Sequence, residues 1–166
     1  MGANIFYTYA FGKTAKDAFR DAVHQAQWEH GHGGYTGTIA EKHDFVMLPK
    51  PDTRLSIRDL AGCSINNEEH YWVWRRLKEH EDAKDFDRTT SCMNRDGEWY
   101  TQVAERKKLP EKLVPWIRKA HQAVDNKWGP AGCVEITGKD AQEFRKREGY
   151  KGKQGKVFLF FGWASS

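Results

Sequence analysis

The chain has 166 residues, of which 39% are hydrophobic and 30% charged, a composition typical of a folded globular chain and unlike that of a disordered one. No apolar run approaches the ~20 residues that cross a bilayer, which argues against a membrane protein. Three widely spaced cysteines without a CxxC pair argue against a disulfide framework. We therefore expect a single domain, residues 1–166, in a reducing compartment, the cytoplasm.

The net charge of +4 is unevenly distributed along the chain. Residues 1–65 are neutral overall, residues 66–105 carry an excess of four acidic groups, and residues 106–156 carry an excess of eight basic groups. An anionic partner would therefore meet the strongest attraction in the last third. A lysine-rich solvated surface has the same composition and is the alternative.

The first thirty residues predict a strand followed by a helix. Between Asn4 and Phe11 apolar side chains occupy both alternating faces, which is typical of a strand buried on both sides. Ala15–His30 has apolar residues at helical spacing, with Thr14 as the predicted N-cap and Gly31 as the C-cap. The alanines of this helix indicate close packing against a sheet.

The next segment predicts a hairpin and a short helical turn. Tyr35–Glu41 and Phe45–Leu48 have extended character and a polar turn separates them, so we expect these two strands to pair. Ser56–Asp59 begins a helical turn that ends at Gly62.

A second helix is predicted around residue 70. Asn66 or Asn67 would cap it. The apolar face of this helix would consist of Tyr71, Trp74 and Leu77. Trp72 lies off that face, where it would be exposed or meet a partner. We expect the acidic segment Glu79–Asp87 to form a loop.

The second half predicts a hairpin, two helices and two strands. The hairpin arms are Arg88–Met93 and Glu98–Val103 around the turn Asn94–Gly97, and a helix is the alternative for the second arm. The later elements are a helix that starts near Pro115 and ends by Trp128, a strand over Gly132–Ile136, a helix over Lys139–Glu148 capped by Thr137, and a strand over Lys156–Trp163. The last strand is apolar on both faces, so we place it at the centre of a sheet. This order predicts an α+β fold, with a mixed or mainly antiparallel sheet and helices packed against it.

The stretch His30–Lys42 concentrates reactive groups on a glycine-rich backbone and is the first candidate site. The candidate catalytic residues are His30, His32, Tyr35 and Glu41, and the candidate ligand-binding residues are Thr36, Thr38 and Lys42. As an acid/base site, a histidine would transfer the proton, and the hydroxyl groups would orient the substrate. As an anion site, it would hold a phosphate on backbone amides. However, a helix C-terminus repels anions and favours a protonated histidine. The structural alternative is a helix cap and a turn whose polar groups satisfy one another.

Geometry restricts these alternatives. An extended strand would separate Tyr35 from Glu41 by about 20 Å, so the two could not share one reacting atom without a bend. A zinc site at His30 and His32 would need further ligands, and no second spaced pair follows, so we assign no metal.

Two other clusters carry chemistry. A basic patch near the C-terminus, next to Tyr150, could follow a phosphate backbone. Its members are Arg145, Lys146, Arg147 and Lys151. The turn Lys127–Cys133 leads into a strand, and we expect Cys133 to be a small buried hydrophobe. As a nucleophile it would need a basic neighbour such as His121.

Three segments resemble small proteins encoded by bacteriophages and prophages. They are residues 31–42 (GHGGYTGTIAEK), residues 127–133 (KWGPAGC) and residues 160–164 (FFGWA). The resemblance does not extend to residues 50–110, and it brings no catalytic activity with it. It implies expression in the cytoplasm of an infected host bacterium, where such proteins often inhibit host enzymes or defence systems or act in nucleic-acid metabolism.

Together these features favour a phage-type accessory protein that binds a host protein, another host macromolecule or nucleic acid and counteracts a host defence system. The alternative is a small enzyme acting on a nucleotide or nucleic acid through the residues around positions 30–42, so whether the protein is an enzyme stays open. The sequence does not identify a cofactor, it predicts no membrane partner, and it does not predict the oligomeric state.

Overall fold

Two β-sheets and four α-helices make up the part of the chain that the computed structural model describes, residues 2–77, 83–84 and 86–166. The strands are β1 (Ala3–Gly12), β2 (Phe45–Met47), β3 (His70–Leu77), β4 (Arg88–Met93), β5 (Trp99–Lys108), β6 (Ala131–Ile136) and β7 (Lys156–Ser165). The helices are α1 (Ala15–His30), α2 (Ile57–Ile65), α3 (Val114–Val124) and α4 (Lys139–Arg147). Short 3₁₀ helices span Ile39–Glu41 and Glu111–Leu113. The predicted α+β class is confirmed, with two sheets where we expected one.

The larger sheet has the strand order β1-β7-β6-β2. β1 is antiparallel to β7 along its whole length, from Ala3 opposite Ser165 to Gly12 opposite Lys156. β6 is antiparallel to β7, and β2 is parallel to β6. The predicted central position of the last strand is confirmed, because β7 lies between β1 and β6 and its apolar run is buried on both faces.

Helices cover both faces of this sheet. On one face α1 packs through Ala18, Ala22 and Ala26 against even-numbered residues of β7 such as Phe158 and Phe160. The small alanines let the helix approach the sheet closely, as predicted. On the other face α2, α3 and α4 pack against the odd-numbered residues of β7. Strand alternation thus divides one strand between two hydrophobic clusters.

The smaller sheet has the order β3-β5-β4 and is antiparallel throughout. The predicted helix at residues 66–78 is wrong, because His70–Leu77 forms β3 and pairs with β5 over eight residues. A run of aromatic and β-branched residues, Tyr71 to Trp74, favours a strand, and its pairing overrides the apparent helical spacing. The predicted hairpin β4–β5 is confirmed, and Gly97 turns it with φ +80°.

The predicted hairpin of Tyr35–Glu41 with Phe45–Leu48 is also wrong. Gly34, Tyr35 and Gly37 have positive φ angles of 75°, 59° and 69°, which curl the chain and prevent an extended strand. The 3₁₀ helix Ile39–Glu41 follows, and β2 pairs in parallel with β6 instead.

Most helix ends agree with the sequence. The Thr14 side chain accepts a hydrogen bond from the Asp17 amide at 3.1 Å, and Gly31 closes α1. α2 continues past the predicted end at Gly62 to Ile65. Gly138, and not Thr137, occupies the N-cap position of α4. The predicted loop Glu79–Asp87 lies largely outside the described residues.

Candidate functional site

The three segments 31–42, 127–133 and 160–164 lie together in space. Residues 31–42 curl over the ends of β1 and β7, where the Gly37 amide donates to the Ser165 carbonyl at 2.7 Å. A Cβ at Gly37 would lie 2.6 Å from Asn4 Nδ2, so a side chain here would displace that of Asn4. The same residues contact the turn 127–130 through Tyr35 and Lys42. Segments far apart in sequence therefore form one structural unit.

Glu41 holds the loop of this unit. Its Oε1 accepts from the Thr36 amide at 3.0 Å and the Thr36 hydroxyl at 2.8 Å, and its Oε2 accepts from the Ser165 hydroxyl at 3.3 Å. Burial acts to raise the pKa of Glu41, but these bonds and one from the Tyr35 amide outweigh it and lower the pKa. The carboxylate is thus charged and already satisfied by its own chain. The predicted 20 Å separation of Glu41 from Tyr35 is wrong, since the chain bends at that point.

Lys42 is buried, with 2% of its surface exposed. Its Nζ donates to the carbonyls of Lys127 and Gly129 at 3.0 and 2.9 Å and lies 6.0 Å from the centroid of the Phe6 ring. Burial lowers the pKa of Lys42 to about 8. The ammonium group therefore fixes the 127–130 turn, and it is not presented to an external phosphate.

Tyr35 and Trp128 form an exposed pair at the rim of the unit. Their rings meet edge to face at 6.2 Å, and 53% and 55% of their surfaces are exposed. The Lys127 Nζ lies 5.2 Å from the Trp128 ring centroid. An aromatic residue with positive φ is rare, and the fixed turn holds Tyr35 in that conformation.

The other residues predicted in this stretch do not gather around a common point. His30 lies beside Glu29 at 4.0 Å, and His32 is exposed in the loop. The hydroxyls of Thr36 and Thr38 bond to each other at 2.9 Å, and the Thr38 hydroxyl also accepts from the Ala40 amide. The polar groups mainly satisfy one another, which agrees with the structural alternative for this stretch.

The basic patch is also partly used within the fold. Arg145 donates to the carbonyls of Lys153 and Gly155 and stacks over Phe11, so it secures the loop after α4. Arg147 pairs with Glu148 at 2.8 Å. The remaining two members, Lys146 and Lys151, are exposed to solvent.

A more ordered set of cationic and aromatic side chains lies on one face of the smaller sheet. Directly paired residues share a face, so the register places six large side chains on the same side. We call this surface the arginine–aromatic face; it consists of Trp72, Trp74, Arg76, Arg88, Tyr100 and Arg106. The strand residues on this side include no aspartate or glutamate.

Each arginine of this face lies over one ring. Arg106 is 5.7 Å from the Trp72 centroid and Arg76 is 5.1 Å from that of Tyr100. Arg88 reaches across β5 to within 5.6 Å of Trp74. It passes over Ala104, which pairs with both residues and is small enough to leave the space open. These distances are those of cation–π contacts.

Trp72 stands out in the sequence, but the arginine–aromatic face does not. Read as a helix, the segment separates Trp72 from Trp74 by 200°, whereas a strand places them on the same side. The available signal was the run of four aromatic and β-branched residues, which is typical of a strand. Arg106, in the adjacent strand, could be matched to Trp72 only with the register known.

The two buried cysteines, Cys63 and Cys133, have unreactive thiols. Burial raises the pKa of Cys133 to about 12, and burial with nearby Glu68 and Asp59 raises that of Cys63 to about 11. Both thiols therefore stay protonated near neutral pH, which supports the interpretation of Cys133 as a small hydrophobe. Within the described ranges, no three histidine, cysteine or acidic side chains are grouped to hold a metal ion. Nor does that part of the chain contain a helix long and apolar enough to cross a membrane.

Comparison of the chain with protein-family models, with curated proteins and with solved structures finds no match in any of the three. The functional assignment therefore rests on the residues and their geometry.

Proposed function

We propose that the protein binds single-stranded nucleic acid through the arginine–aromatic face. The observation that carries this proposal is the alternation of three rings with three arginines on an open sheet surface whose strand residues include no acid. Repulsion by carboxylates would oppose binding of a polyanion. Among the described residues outside the strands, Glu68 and Asp59 lie beside Trp72 and Trp74, where Glu68 pairs with Arg106 at 3.0 Å and Asp59 lies next to Arg58.

The rings supply stacking surfaces. Trp74 has 45% of its surface exposed, and Trp72 and Tyr100 are half-buried, so each ring is anchored in the sheet and still reachable. Trp72 and Trp74 are two residues apart on one strand, which places them about 7 Å apart. Unpaired bases stack on such rings regardless of sequence.

The arginines supply the contacts to phosphate. Their guanidinium groups already lie beside the rings, so a base stacked on a ring would bring its phosphates within reach of a guanidinium. Arg76, Arg88 and Arg106 are exposed. Lys108 lies on the same side of β5 and extends the positive surface.

A nucleic-acid-binding face agrees with the hypothesis of a binding protein and not with that of an enzyme acting through residues 30–42. Taken with the resemblance to phage proteins, the protein would be an accessory protein that binds nucleic acid in the host cytoplasm. Its role there would be to interfere with a host defence system. The exposed Lys146 and Lys151 would add electrostatic attraction at a second place on the surface.

The test is the binding of a fluorescent single-stranded oligonucleotide, as DNA and as RNA, measured by anisotropy. Trp74→Ala should weaken binding roughly 5- to 150-fold, since one stacked base contributes ~1–3 kcal/mol. Replacing Arg76, Arg88 and Arg106 by glutamine should weaken binding. In a plot of the logarithm of the binding constant against the logarithm of the salt concentration, the slope should become shallower by ~0.7 for each lost phosphate contact.

Trp99 provides a matched control in the same sheet. It has 66% of its surface exposed, and the register places it on the opposite side of β5. Trp99→Ala should leave the affinity unchanged. Equal affinities for wild type, Trp74→Ala and Trp99→Ala, with all three folded by circular dichroism, would reject the proposal.

A further inference from the structure

The outer edge of β1 is long and unprotected. Among the described residues, β1 pairs with β7 on one side and with no strand on the other. Its ten residues include no charged residue and no proline. Proteins commonly protect exposed edges by shortness, charge or proline. The opposite edge follows that rule, because β2 has three residues and Pro49 comes shortly after it.

A groove of about 590 Å³ runs along this edge. Consecutive β1 residues from Ile5 to Phe11 line it, so its floor includes side chains from both faces of the strand and the edge between them. α1 forms one wall and α4 the other. Gly37, beside Asn4, marks one end, and Tyr150, stacked on Phe11, marks the other. Seven strand residues span about 23 Å, so the groove has the length of one extended segment.

The two walls differ in chemistry. The α1 wall carries Asp21, Gln25 and Glu29, spaced one helical turn apart, with His30 at its end. The α4 wall is aromatic, with Phe144 stacked on Tyr9 and near Tyr150. Arg147 and Glu148 also line it and pair with each other. On the α1 wall Asp21 lies 3.4 Å from Arg20, which is outside the groove, and both groups are exposed.

A strand that enters this groove would point alternate side chains at the two walls. We propose that the groove binds an extended segment of a partner protein by strand addition, and that this segment alternates basic with apolar side chains. The backbone groups of β1 bind the segment, and the two walls select its sequence. Basic side chains face Asp21 and Glu29, and apolar ones face Tyr9 and Phe144.

A second copy of this chain fits the groove poorly. Two-fold pairing of β1 with another β1 would place both α1 helices on the same side of the joined sheet. Asp21 and Glu29 of one copy would then face the acidic side chains of the other, and facing like charges disfavours association. The walls would also compete for the space above the paired strands.

The test uses a fluorescent peptide of about eight residues that alternates lysine and valine. Wild-type protein should bind it, and should bind less well a version with glutamate for lysine or with a central proline. The double variant Asp21→Lys/Glu29→Lys changes exposed groups on α1 and should reverse the preference, with about a tenfold loss for the lysine peptide. Bound peptide should also slow amide hydrogen exchange in β1.

The control is Glu111→Lys/Asp125→Lys, which has the same change in net charge away from the groove and should bind as wild type does. Absence of binding at millimolar peptide, or equal affinity of all three proteins for the lysine peptide, overturns the proposal. A dimer that dissociates on Thr8→Lys substitution would also overturn it, because a second copy would then occupy the edge. Oligonucleotide binding should be the same in both double variants, so this proposal and the proposed function fail separately.

Discussion

Lys42 gives the sharpest prediction, because a buried ammonium group makes stability depend on pH. Its pKa is about 8 in the folded chain and 10.5 when unperturbed. Between these two values the unfolded chain binds more protons than the folded chain, so the free energy of unfolding rises with pH. The slope for one group is about 1.4 kcal/mol for each pH unit, so this lysine contributes a rise of roughly 3 kcal/mol between pH 7.5 and 10.5.

Other groups act in the opposite direction over the same range. Burial raises the pKa of Tyr7, Tyr9, Cys63 and Cys133, so their contribution to stability is lost as pH rises above the unfolded values, near 9 for a thiol and 10 for a phenol. A wild-type curve alone would mix the two effects. The tyrosines and cysteines contribute equally to wild type and to Lys42→Met, so the difference in stability between the two proteins reports the contribution of Lys42 alone.

The assay is urea unfolding of wild type and Lys42→Met at several values between pH 7 and 10.5. The variant loses two hydrogen bonds to carbonyls, which shifts its stability by an amount that does not depend on pH. We expect the stability of wild type relative to Lys42→Met to rise by roughly 3 kcal/mol across the range. The exposed Lys119 provides the control, and Lys119→Met should show a flat difference. A flat difference for Lys42→Met as well would refute the argument that burial lowers its pKa.

Three further predictions concern residues that hold the fold together. Glu41→Gln should cost about 1–2 kcal/mol at neutral pH by urea unfolding; because the folded pKa is lowered, this difference should shrink as pH falls below the usual 4.5. Gly132→Ala should cost about 1–3 kcal/mol, since its Cβ would lie 2.7 Å from the Phe161 ring, whereas Gly33→Ala meets nothing within 4 Å and should leave the melting temperature nearly unchanged. A thiol-specific chromogenic reagent should label Cys92 readily in the native protein and the two buried thiols only after unfolding.

The elements that were predicted correctly carry their own local signal. α1 has regular apolar spacing with a cap at each end, and the long apolar run of β7 fits only a central strand. The prediction for β3 was wrong because Tyr71, Trp74 and Leu77 match a helical period. The strand that decides its structure, β5, lies about thirty residues further along the chain. Such pairings cannot be read from a local window.

The residues of the candidate site could be identified from the sequence, but their partners could not. The sequence identified the residues around Glu41 and Lys42 as unusual, and the structure shows that they bind the chain to itself. Apart from Thr36, their partners are Ser165 and the carbonyls of Lys127 and Gly129, which are more than eighty positions away. Backbone carbonyls also leave no trace in side-chain composition. An inward-facing lysine and a solvent-facing lysine look alike in a sequence.

The pairing of β1 with β7 also has a consequence for how the chain folds. Within the part of the chain that the structure describes, residues 3–12 find their ladder partners among residues 156–165. During synthesis, β1 and the apolar side of α1 must wait until the final ladder partner has left the ribosome. Contacts at such separation slow folding, and exposed apolar segments risk aggregation in the interval. We therefore expect the larger sheet to form only once residues 156–165 have left the ribosome, with a dependence on chaperones that a protein with locally paired strands would not show.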